Sequence, residues 1–169
     1  MKSTSYNKNY NNEIVLSNKA LQKIIIFFLF QCPVKGVSFR GRSFDQYGFH
    51  GSSDFSKLKR ALLNAADSSL HKNYYPCKKD ELPEKFKLTE DIDPPDEYCV
   101  FLKSSEHRVI ESLFSAIRNA IAHGSFNVKE YKRVRIYYFC NFKTYKKAEI
   151  VLRESTLLQW IKIIQSKEI

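Results

Sequence analysis

Apolar side chains recur at helical spacing in four stretches of the chain, and each stretch predicts one helix. The first stretch runs from Ser17 to Gln31 and is apolar on most sides, which predicts deep burial. Pro33 then stops further helical growth. The second stretch runs from Asp54 to His71, and Ser53 is placed to act as its N-cap.

The third stretch is the most regular, and we refer to it as the motif helix. Ser104 or Ser105 is expected to cap its start, and Gly124 is a typical residue just beyond a helix C-terminus. Its apolar residues keep the i, i+3, i+4, i+7 pattern: Val109, Ile110, Leu113, Phe114, Ile117, Ala120 and Ile121. The fourth helix is expected from Thr156 to about Gln165, capped by Ser155.

The segments between these helices have other patterns. Alternating β-branched and aromatic residues from Tyr131 to Cys140 and from Ala148 to Leu152 predict an antiparallel hairpin. A Gly-rich segment from Lys35 to Gly51 and a Pro-rich segment from Tyr74 to Pro95 predict long loops. The polar, aperiodic stretch from Met1 to Asn12 predicts a flexible arm.

The charge of the chain is strongly positive and unevenly distributed. Its 28 lysines and arginines outnumber 18 aspartates and glutamates, for a formal net charge of +10. Residues 80–97 hold eight acidic and two basic residues, whereas the chain from Arg118 onward holds eleven basic and four acidic ones. A basic surface favours a polyanionic partner such as RNA. The acidic segment is expected to be a solvated loop, with shielding of the basic site or binding of a basic partner as alternatives.

Several kinds of chemistry lack their usual motifs in this sequence. Cys32, Cys77, Cys99 and Cys140 form no CxxC pair and have no histidine at zinc-ligand spacing, so we expect unpaired thiols in a reducing cytoplasm. There is no Gly-rich phosphate loop, carboxylate metal cluster or Gly-x-Ser-x-Gly elbow, so neither a metal nor a cofactor is expected. The apolar run over residues 24–30 is shorter than the roughly 20 residues that a transmembrane helix needs.

The motif helix ends with residues suited to phosphodiester chemistry. Arg118 and His123 project about 140° apart, so both border the apolar stripe, where a two-fold partner would bring two copies of each together. Arginine offers a charged fork of donors to phosphate oxygens, whereas histidine exchanges protons near neutral pH. Asn119, one turn before His123, is placed to orient the imidazole or to contact a phosphate. The set is suited to RNA cleavage, in which a 2′-hydroxyl attacks the phosphate.

The phrase AIRNAIAHG at residues 116–124 resembles the signature of the HEPN superfamily, an arginine followed by a polar residue and, a few residues later, a histidine. The stretches YYF at 137–139 and ESTLL at 154–158 are also similar to small stand-alone HEPN proteins of bacterial plasmids and defence islands. The resemblance extends from about Ser104 to the C-terminal end. HEPN toxins silenced by nucleotidyltransferase antitoxins carry a tyrosine where this chain has Ser125, so silencing by tyrosine nucleotidylation is not expected.

The resemblance implies a mainly α fold, a HEPN-like helical bundle with a long Gly/aromatic loop and a β-hairpin, in one domain over residues 1–169. It also implies a homodimer that pairs two motif helices and a metal-independent endoribonuclease of toxin–antitoxin or anti-phage defence systems. Arg118 and His123 would be catalytic and Asn119 supporting, in a composite site that leaves 2′,3′-cyclic phosphate ends. An antitoxin or another defence protein would be a further partner.

Basic residues elsewhere are candidates for holding RNA. Lys129, Arg133 and Arg135 belong to a set around the predicted hairpin that also includes Lys132, Lys143, Lys146 and Lys147. A solvated strand face is the alternative interpretation. Arg40 and Arg42 lie in the Gly-rich loop, whose aromatic residues suit stacking on unpaired bases. Alternatively, these aromatic residues pin the loop to the core: Phe39, Phe44, Tyr47 and Phe49.

Two rival hypotheses belong to other functional classes. A non-catalytic HEPN-like module would bind nucleic acid or protein without releasing a product. The effector half of a larger defence complex would stay silent until a partner releases it. The histidines at 50, 71 and 107 have no motif partner and are not expected to be a second proton shuttle.

Overall fold

A five-stranded sheet forms the centre of the computed structural model, which describes residues 18–34 and 43–167. The strands are β1 (Tyr74–Cys77), β2 (Tyr98–Leu102), β3 (Phe126–Tyr131), β4 (Val134–Phe142) and β5 (Lys146–Arg153). Their order across the sheet is β1-β2-β5-β4-β3. The β1–β2 pair is parallel, and every other neighbouring pair is antiparallel.

Helices cover both faces of this sheet. Those among the described residues are α1 (Lys19–Ile26), α2 (Gly51–Asn64), α3 (Ser68–Lys72), α4 (Leu82–Leu88), α5 (Val109–Ala122) and α6 (Glu154–Ser166). A π-helical turn, Phe27–Gln31, extends α1, and a short 3-10 turn covers Asp45–Tyr47. Side chains of α1, α2, α5 and α6 form the larger core with one face, while α4 packs on β1 and β2 beside the smaller core.

The prediction of a mainly α, HEPN-like helical bundle is wrong. Helices account for 49% of the structure and strands for 23%, and the strands form one mixed sheet. The predicted hairpin is present as β4 and β5, which pair antiparallel. It is the interior of a larger sheet, however, because β3 extends it on one side and β2 and β1 extend it on the other.

Two of the three other strands, β1 and β2, have sequence patterns that do not resemble those of typical strands. In β2, Cys99 and Phe101 join the larger core while Tyr98 and Val100 join the smaller one, so the strand is apolar on both faces and shows no alternation. β1 lies in the segment from Tyr74 to Pro95 that was predicted to be loop. Its proline is tolerated because β1 is an edge strand and needs no donor on its outer side.

Three helix boundaries also differ from prediction. The helix expected from Asp54 to His71 is two helices, because the chain breaks after Asn64 and restarts where Asp67 accepts a hydrogen bond from the Ser69 N–H. The motif helix is α5, and its N-cap is Arg108 rather than Ser104 or Ser105. The Glu111 carboxylate accepts the Arg108 N–H at 2.9 Å and so stabilises the first turn. Helix α6 begins at 154, one residue before its predicted cap.

The described aromatic residues of the Gly-rich loop are part of the hydrophobic core. Phe44, Tyr47 and Phe49 are all buried, and the Phe44 ring packs edge-on against Phe55 of α2 with centroids 5.0 Å apart. The alternative interpretation of these residues, that they pin the loop, is therefore confirmed for the described part. Phe39, Arg40 and Arg42 lie outside the described residues, so RNA binding by the two arginines stays a prediction.

The four cysteines are unpaired, as the sequence predicts. Cys32, Cys77 and Cys99 are buried among apolar side chains, and Cys140 is half-buried. Over residues 18–34 and 43–167, none of the helices combines the length and apolar character needed to cross a bilayer.

Glu97 is a buried carboxylate that joins four elements, although the sequence placed it in a solvated acidic loop. Its two oxygens accept the N–H groups of Asp67 at 2.7 Å and Arg153 at 2.6 Å, and the Thr156 side chain adds a third hydrogen bond. Burial raises the pKa of Glu97, and these hydrogen bonds partly offset that rise. Arg153 also bonds Asp67 at 2.8 Å, so the cluster fixes the start of α3 against β2, β5 and α6.

We expect Glu97→Gln to lower the free energy of unfolding by about 1–3 kcal/mol, because the new amide NH₂ would face a backbone N–H that loses its acceptor. Glu106→Gln, which changes an exposed carboxylate, is the matched control and should be neutral. Urea denaturation measures both variants. Equal stability of Glu97→Gln and the parent chain would contradict the structural role assigned to this carboxylate.

Candidate active site

The core fixes the orientation of α5 and thereby the position of the candidate catalytic residues. The ring of Phe114 lies 5.6 Å from that of Phe28, 6.0 Å from that of Trp160 and 6.2 Å from that of Phe44. Because α5 is packed on several sides, its orientation is fixed. Only a narrow strip of its surface remains accessible to solvent. The apolar stripe considered as the seat of a second copy is therefore filled by the chain itself.

The C-terminal end of α5 places His123 at the surface. His123 is the C-cap residue, and Gly124 follows with a φ of +64°. The N–H of Gly124 donates to the carbonyl of Ile121 at 3.1 Å, and the N–H of Ser125 donates to that of Ala120 at 2.8 Å. These two bonds form a Schellman motif, which confirms the role predicted for Gly124. The imidazole is thus exposed at the C-terminal end of the helix.

Arg118 is half-buried and held in place by its neighbours. Its Nη1 donates to Oδ1 of Asn119 at 3.0 Å, and its Nε is shielded from solvent. Burial raises the pKa of the Cys32 thiol, and the nearby Arg118 charge opposes that rise. The guanidinium therefore lies between Asn119 and the residue that follows the π-helical turn.

The Asn119 side chain accepts a hydrogen bond from Arg118, whereas no hydrogen bond joins it to the His123 ring. Neither ring nitrogen of His123 is hydrogen-bonded within the described part of the chain, and its backbone N–H donates to the Asn119 carbonyl at 3.0 Å. Of the two roles predicted for Asn119, orienting the imidazole is therefore not seen. The residue positions the arginine instead.

Asn119 and His123 line one groove of about 430 Å³. The groove lies between the end of α5 and the turn that connects β4 to β5. Its other walls are Ser125, Asn141, Phe142, Lys143 and Lys147. Asn141 donates from Nδ2 to the carbonyl of Ala116 at 2.7 Å, so the end of β4 is fastened to α5 and the groove keeps its width.

A smaller cavity of about 120 Å³ continues along α5 and shares three lining residues with the groove: Asn119, Asn141 and Lys147. His107 lies in this cavity, with Nδ1 3.9 Å from the Glu111 carboxylate. The whole length of α5, about 21 Å, separates His107 from His123, so one phosphodiester cannot contact both imidazoles. His107 is therefore unsuited to be the second proton shuttle at this site.

The groove offers groups that bind anions. Two lysine ammonium groups, two side-chain amides and an imidazole line it, and none of its lining residues carries a carboxylate. Across residues 18–34 and 43–167, no three His, Cys, Asp or Glu side chains come together as a metal cluster. The arrangement can therefore bind a phosphate and transfer a proton.

The predicted RNA-binding residues of the hairpin lie away from this groove. Lys132 and Arg133 form the two-residue turn between β3 and β4, with φ of 47° and 68°. That turn is at the opposite end of β4 from Phe142, about 27 Å away along the strand. Arg133 therefore cannot reach the phosphate at the groove.

The other two hairpin cations are already in contact with protein groups. Arg135 Nη1 lies 3.4 Å from Oε1 of Glu154, and Lys129 Nζ lies 5.3 Å from the centre of the Tyr138 ring. Neither lines the groove. The structure thus places Asn119 and His123 on the groove and Arg118 next to Asn119, while Lys129, Arg133 and Arg135 lie outside the groove.

Sequence reasoning missed Asn141 and Phe142 as groove residues. Lys143 and Lys147 were only two of seven cations around the hairpin, with nothing to single them out. Phe142 is the informative signal, because an aromatic ring next to lysines in a predicted turn suits stacking on unpaired bases. Asn141 gave no signal, since its hydrogen bond to α5 depends on the packing of the sheet.

Comparisons with models of protein families, with curated proteins and with solved structures found no match to this chain.

We expect Gly124→Ala to lower the free energy of unfolding by about 1–2 kcal/mol, because a residue with a Cβ is strained at positive φ. The added Cβ would meet no atom within 4 Å, so the effect isolates the backbone conformation. Gly124→Asn should lower the free energy of unfolding by less, since asparagine adopts a positive φ more readily than alanine does. Urea denaturation measures both, and an unchanged Gly124→Ala variant would contradict the assigned cap geometry.

Proposed function

We propose that this protein is a metal-independent endoribonuclease whose active site is the groove at the C-terminal end of α5. The observation that carries the proposal is the position of Asn119: it lines the groove with His123 and accepts a hydrogen bond from Arg118 at 3.0 Å. An imidazole and two lysines thereby line one depression, and Asn119 connects them to the guanidinium of Arg118, which lies beside the groove and is not among its lining residues. The resemblance of residues 116–124 to the HEPN signature supports the same assignment, although the bundle it implied is not the fold observed.

The chemistry requires a proton acceptor beside a bound phosphodiester. Neutral His123 takes the proton of the 2′-hydroxyl as its oxygen attacks phosphorus, and the bond from phosphorus to the 5′-oxygen breaks. The products are a 2′,3′-cyclic phosphate and a 5′-hydroxyl. The imidazole suits this step because it is exposed and makes no hydrogen bond within the described residues.

Arg118 stabilises the charge that develops on the phosphoryl oxygens. Its guanidinium is held by Asn119 before substrate arrives, so little reorganisation is needed when the phosphorane forms. Lys143 and Lys147 bring positive charge to the same groove and attract the RNA backbone. In this proposal the two lysines bind the RNA backbone, while Arg118, held by Asn119, stabilises the transition state.

The leaving 5′-oxygen needs a proton, and a second copy of the chain is the source that we propose. In a symmetric homodimer, the outer strip of α5 would meet its counterpart and supply a second, protonated imidazole. That strip is narrow, because most of the other side chains of the helix are buried. It consists of Ser115, Arg118, Asn119, Ala122 and His123. The seam would therefore be formed mainly by polar groups close to the active site.

The HEPN resemblance also bears on biological setting. We propose that the nuclease acts in toxin–antitoxin or anti-phage defence, held silent by an antitoxin or another defence protein. Growth arrest after expression of the wild-type chain, relieved by His123→Ala, would support this setting. Normal growth with active enzyme present in the cell would refute it.

His123→Ala should reduce the rate of RNA cleavage by at least about 100-fold, the usual contribution of a general base. Cleavage by the wild-type chain should persist in EDTA and leave 2′,3′-cyclic phosphate ends, which end-mapping of the fragments detects. His71→Ala, which removes an exposed imidazole far from the groove, is the matched control and should retain full activity.

Three outcomes would count against this assignment. Full activity of His123→Ala, or strict dependence of the wild-type chain on Mg²⁺, would refute the proposed chemistry. RNA binding without any product from the wild-type chain would favour the rival hypothesis of a non-catalytic binding module.

Arg118→Ala should lower kcat by about 100-fold or more while RNA affinity changes little, because the guanidinium acts mainly on the transition state. Arg118→Lys should restore part of the rate, since it returns the charge without the planar fork. Single-turnover kinetics measure the rate of the chemical step and the affinity for RNA separately. A variant that loses affinity and keeps its rate would show that Arg118 only binds RNA.

A further inference from the structure

The turn between β4 and β5 presents an exposed aromatic ring beside the groove. Phe142 is 71% exposed, more than any other large apolar residue within residues 18–34 and 43–167. It also lines the groove that contains His123. Single exposed apolar residues are common at protein surfaces, so the significance of this ring comes from its position on the groove and not from its exposure alone.

An irregularity of the sheet places this ring on the groove. Side chains alternate between the two faces of a regular strand, so neighbours such as Asn141 and Phe142 should point to opposite sides. The β4–β5 register shifts at this point, because Asn141 pairs with Ala148 and Phe142 with Lys146, which leaves Lys147 of β5 as the extra residue. Asn141, Phe142 and Lys147 all line the groove. Bulges of this kind re-aim side chains, and this one lies next to the hydrogen bond from Asn141 to the Ala116 carbonyl.

Lysines flank the ring on the same turn. Lys143 and Lys147 line the groove, and within the described part of the chain neither forms an ion pair. Lys146, by contrast, is paired with Glu149. The Nζ of Lys147 also lies 5.5 Å from the centre of the Tyr145 ring, with that of Lys79 5.0 Å from the same centre. Two aromatic rings and two lysines without ion pairs to described residues therefore lie close together, over the turn and the first residues of β5.

We propose that this turn is the subsite for the unpaired nucleotide next to the cleaved bond, with its base stacked on Phe142 and the flanking phosphates held by Lys143 and Lys147. The inference rests on the proposed ribonuclease function and adds the conformation of the substrate. Phe142 is a positioning residue, because it contacts a base rather than the reacting atoms.

Single-stranded RNA is the form of substrate that fits. Stacking on a protein ring requires a base whose faces are uncovered, and the bases of a duplex already cover one another. The groove supplies one exposed ring beside His123, so one base adjoining the scissile phosphate would be unstacked from its neighbour. Stacking accepts every base, so the turn confers little sequence preference by itself.

The test measures binding in a His123→Ala background, so that the RNA stays intact. Fluorescence anisotropy with a labelled, unstructured ten-nucleotide RNA gives the Kd for the parent, Phe142→Ala and Phe142→Trp. We expect Phe142→Ala to raise the Kd about tenfold or more and Phe142→Trp to retain affinity. Phe30→Ala is the matched control, because that ring is 62% exposed and does not line the groove. A duplex of the same sequence should bind the parent and Phe142→Ala equally.

Three outcomes would overturn the subsite: an unchanged Kd in Phe142→Ala, an equal loss in Phe30→Ala, or conversion of a dimer to a monomer by Phe142→Ala in sedimentation. The last would assign the ring to contact between copies of the chain. The two proposals can fail separately. If the wild-type chain never cleaves RNA but Phe142→Ala weakens binding, the subsite stands and the nuclease fails. If cleavage proceeds and Phe142→Ala binds and cuts normally, the nuclease stands and the subsite fails.

Discussion

The burial of α5 is the constraint on which the rest of the structure depends. Phe114 packs at the centre of a cluster of rings from α1, α6 and the Gly-rich loop, and the sheet closes the other side. Because the helix cannot rotate, Arg118, Asn119 and His123 are held in fixed relation to the end of β4. A catalytic set on a helix that is buried over most of its surface keeps its geometry without help from substrate.

The sheet contributes the other half of the site. Its bulge at the end of β4 and the hydrogen bond from Asn141 to α5 place Phe142 and the two turn lysines opposite His123. The positive charge of the groove thus comes from lysines next to it, Lys143 and Lys147. The basic residues at the far end of the hairpin raise the overall charge but lie too far from the groove to contact the same phosphate. They can steer a polyanion toward the protein without touching it at the site.

How far the sequence could predict this protein depends on how local each signal is. The motif helix, the Gly124 cap and the β4–β5 pair were predictable, because helical spacing, a glycine beyond the last turn and alternating strands are short-range patterns. The sheet was not, because β2 is buried on both faces and β1 contains a proline that reads as a turn. The fold was therefore predicted from a family resemblance that rests mainly on one helix, and the helical bundle that it implied is not the fold observed.

The residues of the candidate site also fall into those that the sequence identifies and those that only the folded structure reveals. Arg118, Asn119 and His123 were identifiable from their spacing, whereas Asn141 and Phe142 acquire a role only when β4 meets α5 in space. Glu97 shows the reverse error: an acidic residue in a charged, Pro-rich segment looks solvated, yet it is fully buried and accepts two backbone hydrogen bonds. Long-range packing decided each of these cases.

The most direct measurement of the central claim is an NMR titration of the histidine rings with a non-cleavable RNA analogue methylated at its 2′-oxygens. The chain has four histidines, so each imidazole signal can be assigned by substitution. The account predicts that the His123 signals shift with a saturable dependence on RNA while those of His50 and His71 stay in place. Saturable RNA binding that leaves the His123 signals unmoved would show that the groove at the end of α5 is not where RNA binds.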